Sequence, residues 1–170
     1  IGHELRTPLT SIGGSLGRDE ATARGALYVI ADALGEEGKQ IEGLSVVVQG
    51  FGNVGRNLAR LLHGQGAVVI AVSDSSGGLH APDGLDIPTM SAFASDNGSL
   101  EGWQGERITN EDLLELECDI LVLAAREDQI HGDNAHRLRC RLIAEGANGP
   151  TSLEGDAVLR ERGILILPDI

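Results

Sequence analysis

A glycine-rich segment in the first third of the chain has the composition and spacing of a phosphate-binding turn. Gly50-Phe51-Gly52-Asn53-Val54-Gly55 matches the pattern Gly-x-Gly-x-x-Gly. Gly50 permits a tight turn, Gly52 lets the backbone approach a pyrophosphate, and Gly55 allows close packing of the following helix. Free N–H groups and the positive dipole end of that helix would then face the phosphates. The motif therefore predicts dinucleotide binding by these six residues.

The segments on either side supply the context that this motif requires. Leu44–Gln49 is short, apolar and β-branched, as is Ala67–Ser73, and both are typical of buried strands. Between them, Val54, Leu58 and Leu62 fall on one face of a helical pattern that ends near Gly64. Strand, glycine turn, helix and strand form a right-handed βαβ unit with parallel strands.

The remainder of the chain continues this alternation. We expect three further buried strands, at Asp119–Leu123, Arg141–Ala144 and Ile164–Leu167. Helical patterns cover Glu111–Leu116 and Leu153–Arg162, and the loop-rich stretch from Asp74 to Arg107 holds a short helix at Asp86–Ala94. The pattern predicts an α/β protein of the Rossmann type: a doubly wound, mostly parallel sheet with helices on both faces.

The ends of the chain suggest a piece of a longer protein. Turn-forming residues are frequent in residues 1–18, which we expect to form a linker or loop, and Asp19 and Glu20 then open a helix that stops near Gly35. The chain starts without Met and ends directly after a predicted strand. We therefore expect residues 19–170 to form the nucleotide-binding domain without its closing segment.

Composition narrows the function further. The 170 residues suffice for one domain, and 26 acidic residues against 13 basic ones give a net charge of −13, which argues against nucleic acid as a partner. No apolar run approaches the roughly 18–20 residues that span a bilayer, and no signal peptide is visible, so we expect a cytoplasmic protein without a membrane partner. Cys118 and Cys140 fit no metal or disulfide pattern, and we expect two reduced thiols and no metal site.

Further candidate residues follow the predicted strands, where ligands of such sheets bind. Asp74 ends the second strand, near the spacing at which a carboxylate binds the adenosine ribose. The loop after it, Ser75-Ser76-Gly77-Gly78, contains no Arg or Lys that could bind the 2′-phosphate of NADP. This favours NAD as the cofactor, although the two serines could also bind a phosphate and NADP stays open. Ala124 and Ala125 leave room for a flat ring after the third strand.

Asn148, after the fourth strand, could bind a ribose or carboxamide or simply form a turn, just as Asp74 could be an ordinary turn residue. Arg126 places a charge in the cleft or at its rim.

Nearly the whole chain resembles the cofactor-binding domain of the glutamate, leucine, phenylalanine and valine dehydrogenases, most closely the glutamate branch. The resemblance is carried by four segments: residues 13–25 (Gly-Gly-Ser-Leu-Gly-Arg-Asp-Glu-Ala-Thr-Ala-Arg-Gly), the motif at 50–55, Ser73-Asp74 with Pro82-Asp83-Gly84, and residues 144–151 (Ala-Glu-Gly-Ala-Asn-Gly-Pro-Thr). It implies that Thr22 contacts the nicotinamide end, that Asn53 touches the cofactor, and that Asn148 lies near the nicotinamide ribose.

The resemblance also implies an activity and partners. The family converts an L-amino acid into a 2-oxo acid and ammonia with NAD(P), reversibly, and resemblance suggests a homo-oligomer, a hexamer. Its catalytic lysines and aspartate lie in a separate N-terminal substrate domain, to which residues 1–18 would be the linker. The chain's one lysine, Lys39, sits in a polar turn and is expected to be a surface charge. We therefore expect no catalytic residue in these 170 residues, and no turnover by them alone.

Other interpretations stay open. Glutamate is the favoured substrate, with branched-chain and aromatic amino acids as alternatives. A non-catalytic nucleotide-binding or regulatory module of the same fold would also lack the catalytic lysines. The segment from His3 to Thr10 resembles the phospho-accepting box of sensor histidine kinases, although nothing else in the chain supports that function.

Overall fold

The computed structural model describes the backbone of residues 6–168 and the side chains of residues 17–168. Five α-helices lie within this part: α1 (Arg6–Glu36), α2 (Asn53–Gly64), α3 (Ile87–Asn97), α4 (Asn110–Leu114) and α5 (Leu153–Glu161). Its seven strands are β1 (Ser45–Gln49), β2 (Val68–Asp74), β3 (Gly77–His80), β4 (Glu106–Ile108), β5 (Cys118–Leu123), β6 (Cys140–Glu145) and β7 (Leu165–Leu167). A short 3-10 helix covers Ala135–Arg137.

These strands form one seven-stranded sheet in the order β4-β3-β2-β1-β5-β6-β7. Strands β2, β1, β5, β6 and β7 are parallel, whereas β3 and β4 are antiparallel to their neighbours. From β1 the chain first adds β2, β3 and β4 on one side of β1. It then returns to add β5, β6 and β7 on the other side. The predicted doubly wound, mostly parallel sheet is confirmed.

Both faces of the sheet are covered because its central strands are apolar on both sides. Val46 and Val48 belong to a core shared with α1, α2 and α3, whereas Val47 belongs to a second core with α4 and α5. Gln49, the last residue of β1, is buried as well, at 1% exposure. Period-2 alternation thus sends the end of β1 toward the face that α4 covers.

The first helix differs from the sequence-based expectation. Residues 1–18 were expected to form a loop, but α1 already begins at Arg6 and runs unbroken to Glu36. Pro8 lies in the first turn, where the missing N–H is not needed. Glycines within a helix cost only about 1 kcal/mol each relative to alanine, and extending a helix is cheaper than nucleating one. His3 of the kinase-like segment lies outside the described residues.

Strands β3 and β4 lie in the stretch that we expected to be mostly loop. A tight turn joins β2 to β3, with Asp74 paired to Gly77. Asp74 accepts hydrogen bonds at Oδ1 from the N–H of Ser76, at 2.8 Å, and from its hydroxyl group. The sequence Gly-Gly-Leu-His of β3 has no alternating pattern that would predict a strand. It is a strand because it pairs with β2 and β4, not because of its own composition.

The two cysteines lie directly opposite each other on β5 and β6, and both are buried and free. Burial raises the pKa of both thiols, in Cys140 to about 11, and for Cys118 the nearby Cys140 adds to this effect. Within residues 17–168 no group of acidic, histidine and cysteine side chains is arranged to hold a metal ion. None of the helices in that part of the chain has the length and apolar content needed to cross a bilayer.

The buried thiols predict a loss of stability at alkaline pH. Unfolding returns each thiol to its ordinary pKa of about 9, so above that pH the unfolded state loses protons that the folded state keeps. The free energy of unfolding should then fall by up to about 1.4 kcal/mol per pH unit for each thiol. Urea denaturation between pH 8 and 10.5 measures this slope, and a Cys118→Ala, Cys140→Ala double variant should flatten it. An equal slope in the two proteins would contradict the prediction.

Candidate functional site

The carboxyl ends of β1, β2 and β5 open onto one cleft. The chain leaves β1 toward β2 on one side, while β5 pairs with β1 on the other, so the loops after β1 and β5 diverge. Ligands of open α/β sheets bind at such a switch point. The cleft has a volume of about 480 Å³ and is bordered by Gly50–Gly52, Ser73–Ser75 and Ala124–Arg126, together with Gln49, Gly98, Asn110 and Gln129.

The turn after β1 fits against the end of β5 because it carries no side chain at two positions. Gly50 has φ +94°, and a Cβ there would lie 2.7 Å from the carbonyl group of Ala124. A Cβ on Gly55 would lie 1.7 Å from the carbonyl oxygen of Gly50. Since both obstacles are backbone atoms, neither could move aside, and both positions require glycine. The roles predicted for these two residues agree with the geometry.

Gly52 is different, because no described neighbour demands glycine there. Its φ of −83° suits any residue, and a Cβ would have no described atom within 4 Å. The missing side chain instead keeps the mouth of the cleft open where α2 begins. No described side chain caps α2 at this point, so first-turn N–H groups are available to an external acceptor. An anion with several oxygens, such as a pyrophosphate, matches this arrangement.

The other residues of the motif support this turn. Phe51 is 4% exposed and joins the core beneath α2. Asn53 is the first residue of α2, is exposed, and accepts a hydrogen bond at Oδ1 from Arg56 at 3.4 Å. Val54 is half-buried, with its Cγ1 within 3.4 Å of where a Cβ on Gly146 would lie, so it packs toward the loop after β6 rather than into the cleft.

Asp74 borders the cleft but already holds local structure. Besides its two hydrogen bonds from Ser76 at Oδ1, its Oδ2 accepts one from the N–H of Leu100 at 2.6 Å. The side chain thus ties the β2–β3 turn to the segment after α3. Each carboxylate oxygen has two lone pairs, and Oδ2 keeps one of them for a further donor. Asp74 is therefore a turn residue and can also serve as a ligand.

Ala124 and Ala125 border the other side of the cleft, and Asn148 lies beyond them. The N–H of Ala124 donates to the carbonyl oxygen of Gln49 at 2.8 Å, which fixes the loop after β5 against β1. Ala125 and Arg126 are exposed and border the cleft, so Arg126 adds a positive charge to its lining. Asn148, after β6, does not border this cleft but lines an adjoining pocket with Ala125 and Arg126.

Thr22 and Lys39 lie away from the cleft lining. Thr22 is half-buried on α1, and its hydroxyl group donates to the carbonyl oxygen of Arg18 at 3.0 Å. Lys39 pairs with Glu37 at 2.9 Å and borders a pocket at the amino-terminal ends of the strands with Leu44 and Asp119. The structure agrees with the expected surface position of Lys39, which is exposed.

The sequence analysis missed three polar side chains that line the cleft: Gln49, Asn110 and Gln129. Gln49 was included in an apolar strand, Asn110 precedes the predicted helix, and Gln129 follows an acidic loop. One signal was present in the sequence, since a glutamine at the end of an otherwise apolar buried strand is unusual. The partners that bury it could not be read from the pattern.

Comparison with known proteins shows which family has a sequence like that of this chain. Residues 13–170 match the family model described as Glutamate/Leucine/Phenylalanine/Valine dehydrogenase. The chain is 48% identical, over 159 residues, to a cryptic catabolic NAD-specific glutamate dehydrogenase, GudB, of Bacillus subtilis, and 46% identical to an NAD-specific glutamate dehydrogenase of Staphylococcus aureus. These matches cover 94% of the chain but only 37% and 38% of the two relatives, so the chain spans little more than a third of their length.

Solved structures agree. A hetero-hexameric glutamate dehydrogenase of Thermus thermophilus superposes with a TM-score of 0.81 at 36% identity, over 89% of this chain and 36% of that one. A glutamate dehydrogenase of Peptoniphilus asaccharolyticus gives 0.73 at 33% identity, over 94% and 37%. With its turn, cleft and sheet order, the chain belongs to the glutamate/leucine/phenylalanine/valine dehydrogenase family.

Proposed function

We propose that the chain is the cofactor-binding domain of an NAD-dependent glutamate dehydrogenase. The complete protein would oxidise L-glutamate to 2-oxoglutarate and ammonia, reversibly. The observation that carries the proposal is the turn between β1 and α2, whose Gly52 leaves open space at a helix start although no neighbouring atom requires glycine. The names of the relatives, NAD-specific glutamate dehydrogenases, support the cofactor and the substrate.

Different cleft residues would bind different parts of the dinucleotide. First-turn N–H groups from Asn53, Val54 and Gly55 would hold the pyrophosphate, because these groups have no partner within the helix. Oδ2 of Asp74 would accept a hydrogen bond from the adenosine ribose. Small side chains at Ala124 and Ala125 leave the dinucleotide room to cross the ends of β1 and β5.

The nicotinamide end would extend toward Asn148 and Thr22. Asn148 lines the pocket that adjoins the cleft beyond Ala125, and α1, which carries Thr22, packs against α2. Acceptance of a hydride from the substrate Cα is the chemistry that NAD supplies when bound. This domain contributes the orientation of the ring and the exclusion of water.

The groups that act on the substrate would come from elsewhere in the protein. Lys39 is paired with Glu37 at the far end of the sheet, and no other lysine occurs in the sequence. We propose that a substrate domain supplies the catalytic groups, that residues 1–18 adjoin it, and that the complete protein is a homo-oligomer. The greater length of the relatives supports a further domain.

Activity of the complete protein tests the proposal as a whole. We expect NADH formation with L-glutamate and NAD to exceed the rates with L-leucine, L-valine and L-phenylalanine. Initial rates at 340 nm measure this order, and the reverse reaction with 2-oxoglutarate and ammonium is the matching control. Binding of NADH without turnover of any of these amino acids would instead favour the non-catalytic module.

Substitution of Gly52 tests where the phosphates bind. A Gly52→Val side chain would project into the open mouth of the cleft and exclude the pyrophosphate, so the affinity for NADH should fall at least about a hundredfold. Because no described atom lies within 4 Å of that position, the melting temperature should hardly change. Calorimetric titration with NADH measures the affinity.

Gly64→Val is the matched control, since Gly64 also faces open space but lies at the other end of α2. It should leave the NADH affinity intact. Wild-type affinity in the Gly52 variant would refute the placement of the phosphates.

Substitution of Asp74 tests the choice between NAD and NADP. Its carboxylate would accept a bond from the ribose hydroxyl of NADH and repel the 2′-phosphate of NADPH. Asp74→Asn removes the charge but keeps one oxygen to accept from Ser76 or Leu100. We expect weaker NADH binding, stronger NADPH binding, and a preference for NADH reduced about tenfold. Asp83→Asn is the control outside the cleft, and an unchanged preference in the Asp74 variant would exclude a role in cofactor choice.

A further inference from the structure

Three carboxamide side chains meet at one side of the cleft and form an amide cluster: Gln49, Asn110 and Gln129. They come from three elements, since Gln49 ends β1, Asn110 begins α4, and Gln129 lies in the loop after β5. All three border the cleft. Gln49 is 1% exposed, and burying a polar side chain in this way is costly unless hydrogen bonds compensate.

A backbone carbonyl group fixes the orientation of the whole amide cluster. Nε2 of Gln129 donates to the carbonyl oxygen of Glu127 at 3.1 Å, and because that oxygen only accepts, the amide of Gln129 cannot be reversed without losing this bond. Its Oε1 therefore accepts from Nε2 of Gln49, at 2.7 Å. The other hydrogen of Gln49 Nε2 goes to Oδ1 of Asn110, at 2.9 Å.

This chain of bonds leaves defined groups unsatisfied. With Oδ1 of Asn110 turned toward Gln49, its Nδ2 is a donor that no described residue engages. Oδ1 keeps a second lone pair. Oε1 of Gln49 is buried and likewise lacks a hydrogen-bond partner in the described part of the chain. A buried amide that is only half satisfied is expensive to keep, which points to a role other than stability.

The position of the amide cluster matches one end of the proposed cofactor. Helix α4 packs against β1, β2 and β3, so Asn110 lies under the same half of the sheet as Asp74. With phosphates at Gly52 and the adenosine ribose at Asp74, the purine base belongs to this end of the cleft. Asn110, Asp74 and Gly98 border it together.

The hydrogen-bonding groups of adenine are complementary to those of a carboxamide. The exocyclic amine of adenine donates to the amide oxygen of an asparagine, and the neighbouring ring nitrogen accepts from its amide nitrogen. We propose that Asn110 recognises the adenine base of the dinucleotide, and that Gln49 and Gln129 are positioning residues that hold its amide in the required orientation. This inference rests on the proposed function, because it assumes that a dinucleotide occupies the cleft.

The test compares NADH with reduced nicotinamide hypoxanthine dinucleotide, in which a carbonyl oxygen replaces the exocyclic amine. Dissociation constants for both are measured calorimetrically in the wild type, in Asn110→Asp and in Gln49→Leu. The wild type should bind NADH about tenfold more tightly than the analogue, as expected for a paired amide. Asn110→Asp removes the donor, and because a carboxylate suits the first turn of a helix, the variant should fold. Its preference should vanish or invert.

Gln49→Leu separates positioning from contact, because it keeps Asn110 but frees its amide to rotate. The preference for NADH should fall toward unity, mainly through weaker NADH binding. Glu111→Gln, the next residue on α4 and outside the cleft lining, should retain the wild-type ratio.

Each failure has a distinct signature. Equal binding of the two dinucleotides by the wild type, or an unchanged ratio in both variants, overturns the role of the amide cluster while leaving the proposed function intact. If the wild type binds neither dinucleotide, the proposed function fails and this inference fails with it.

Discussion

The close approach of two backbone segments is the constraint on which the rest of the structure depends. The turn after β1 and the start of α2 both touch the end of β5, and the room between them admits no Cβ at Gly50 or Gly55. A side chain at either position would collide with backbone atoms and force α2 away from the end of β5. Packing at this point therefore sets the position of the helix start, and with it the direction of its free N–H groups.

This constraint also explains how an acidic chain can be suited to an anionic ligand. The net charge is −13, and Asp74 and Arg126 contribute the charges of the described cleft lining. Backbone N–H groups and a helix dipole act over short distances and need no excess of lysine or arginine. In the proposed site, local dipoles rather than the field of the whole protein would select the anion.

Polar side chains in the cleft are held by the same packing. Gln49 ends the central strand, so its side chain lies between the sheet and α4, where its Nε2 donates to the amide oxygens of Asn110 and Gln129. Asp74 similarly holds the β2–β3 turn and the segment at Leu100 before it meets any ligand. Both residues connect the fold to the site, because the bonds that stabilise neighbouring loops also orient groups toward the cleft.

The sequence by itself determined the parallel core of the sheet, the glycine turn and the family resemblance. Apolar β-branched runs and the spacing of Gly50, Gly52 and Gly55 are local signals, and β1, β2, β5, β6 and β7 lie within a residue or two of their predicted positions. Strands β3 and β4 were missed because pairing alone makes them strands, and the early start of α1 was missed because turn-forming residues were outweighed by helix extension.

Only the tertiary structure decided which side chains face the cleft together. Asn110 and Gln129 lie 61 and 80 residues from Gln49 along the chain, and hydrogen bonds across such distances leave no periodic pattern in a sequence. Likewise, the sequence alone does not show that Gly52 faces open space whereas Gly55 lies in a crowded position. They differ because one glycine faces the cleft and the other a carbonyl group of the turn itself.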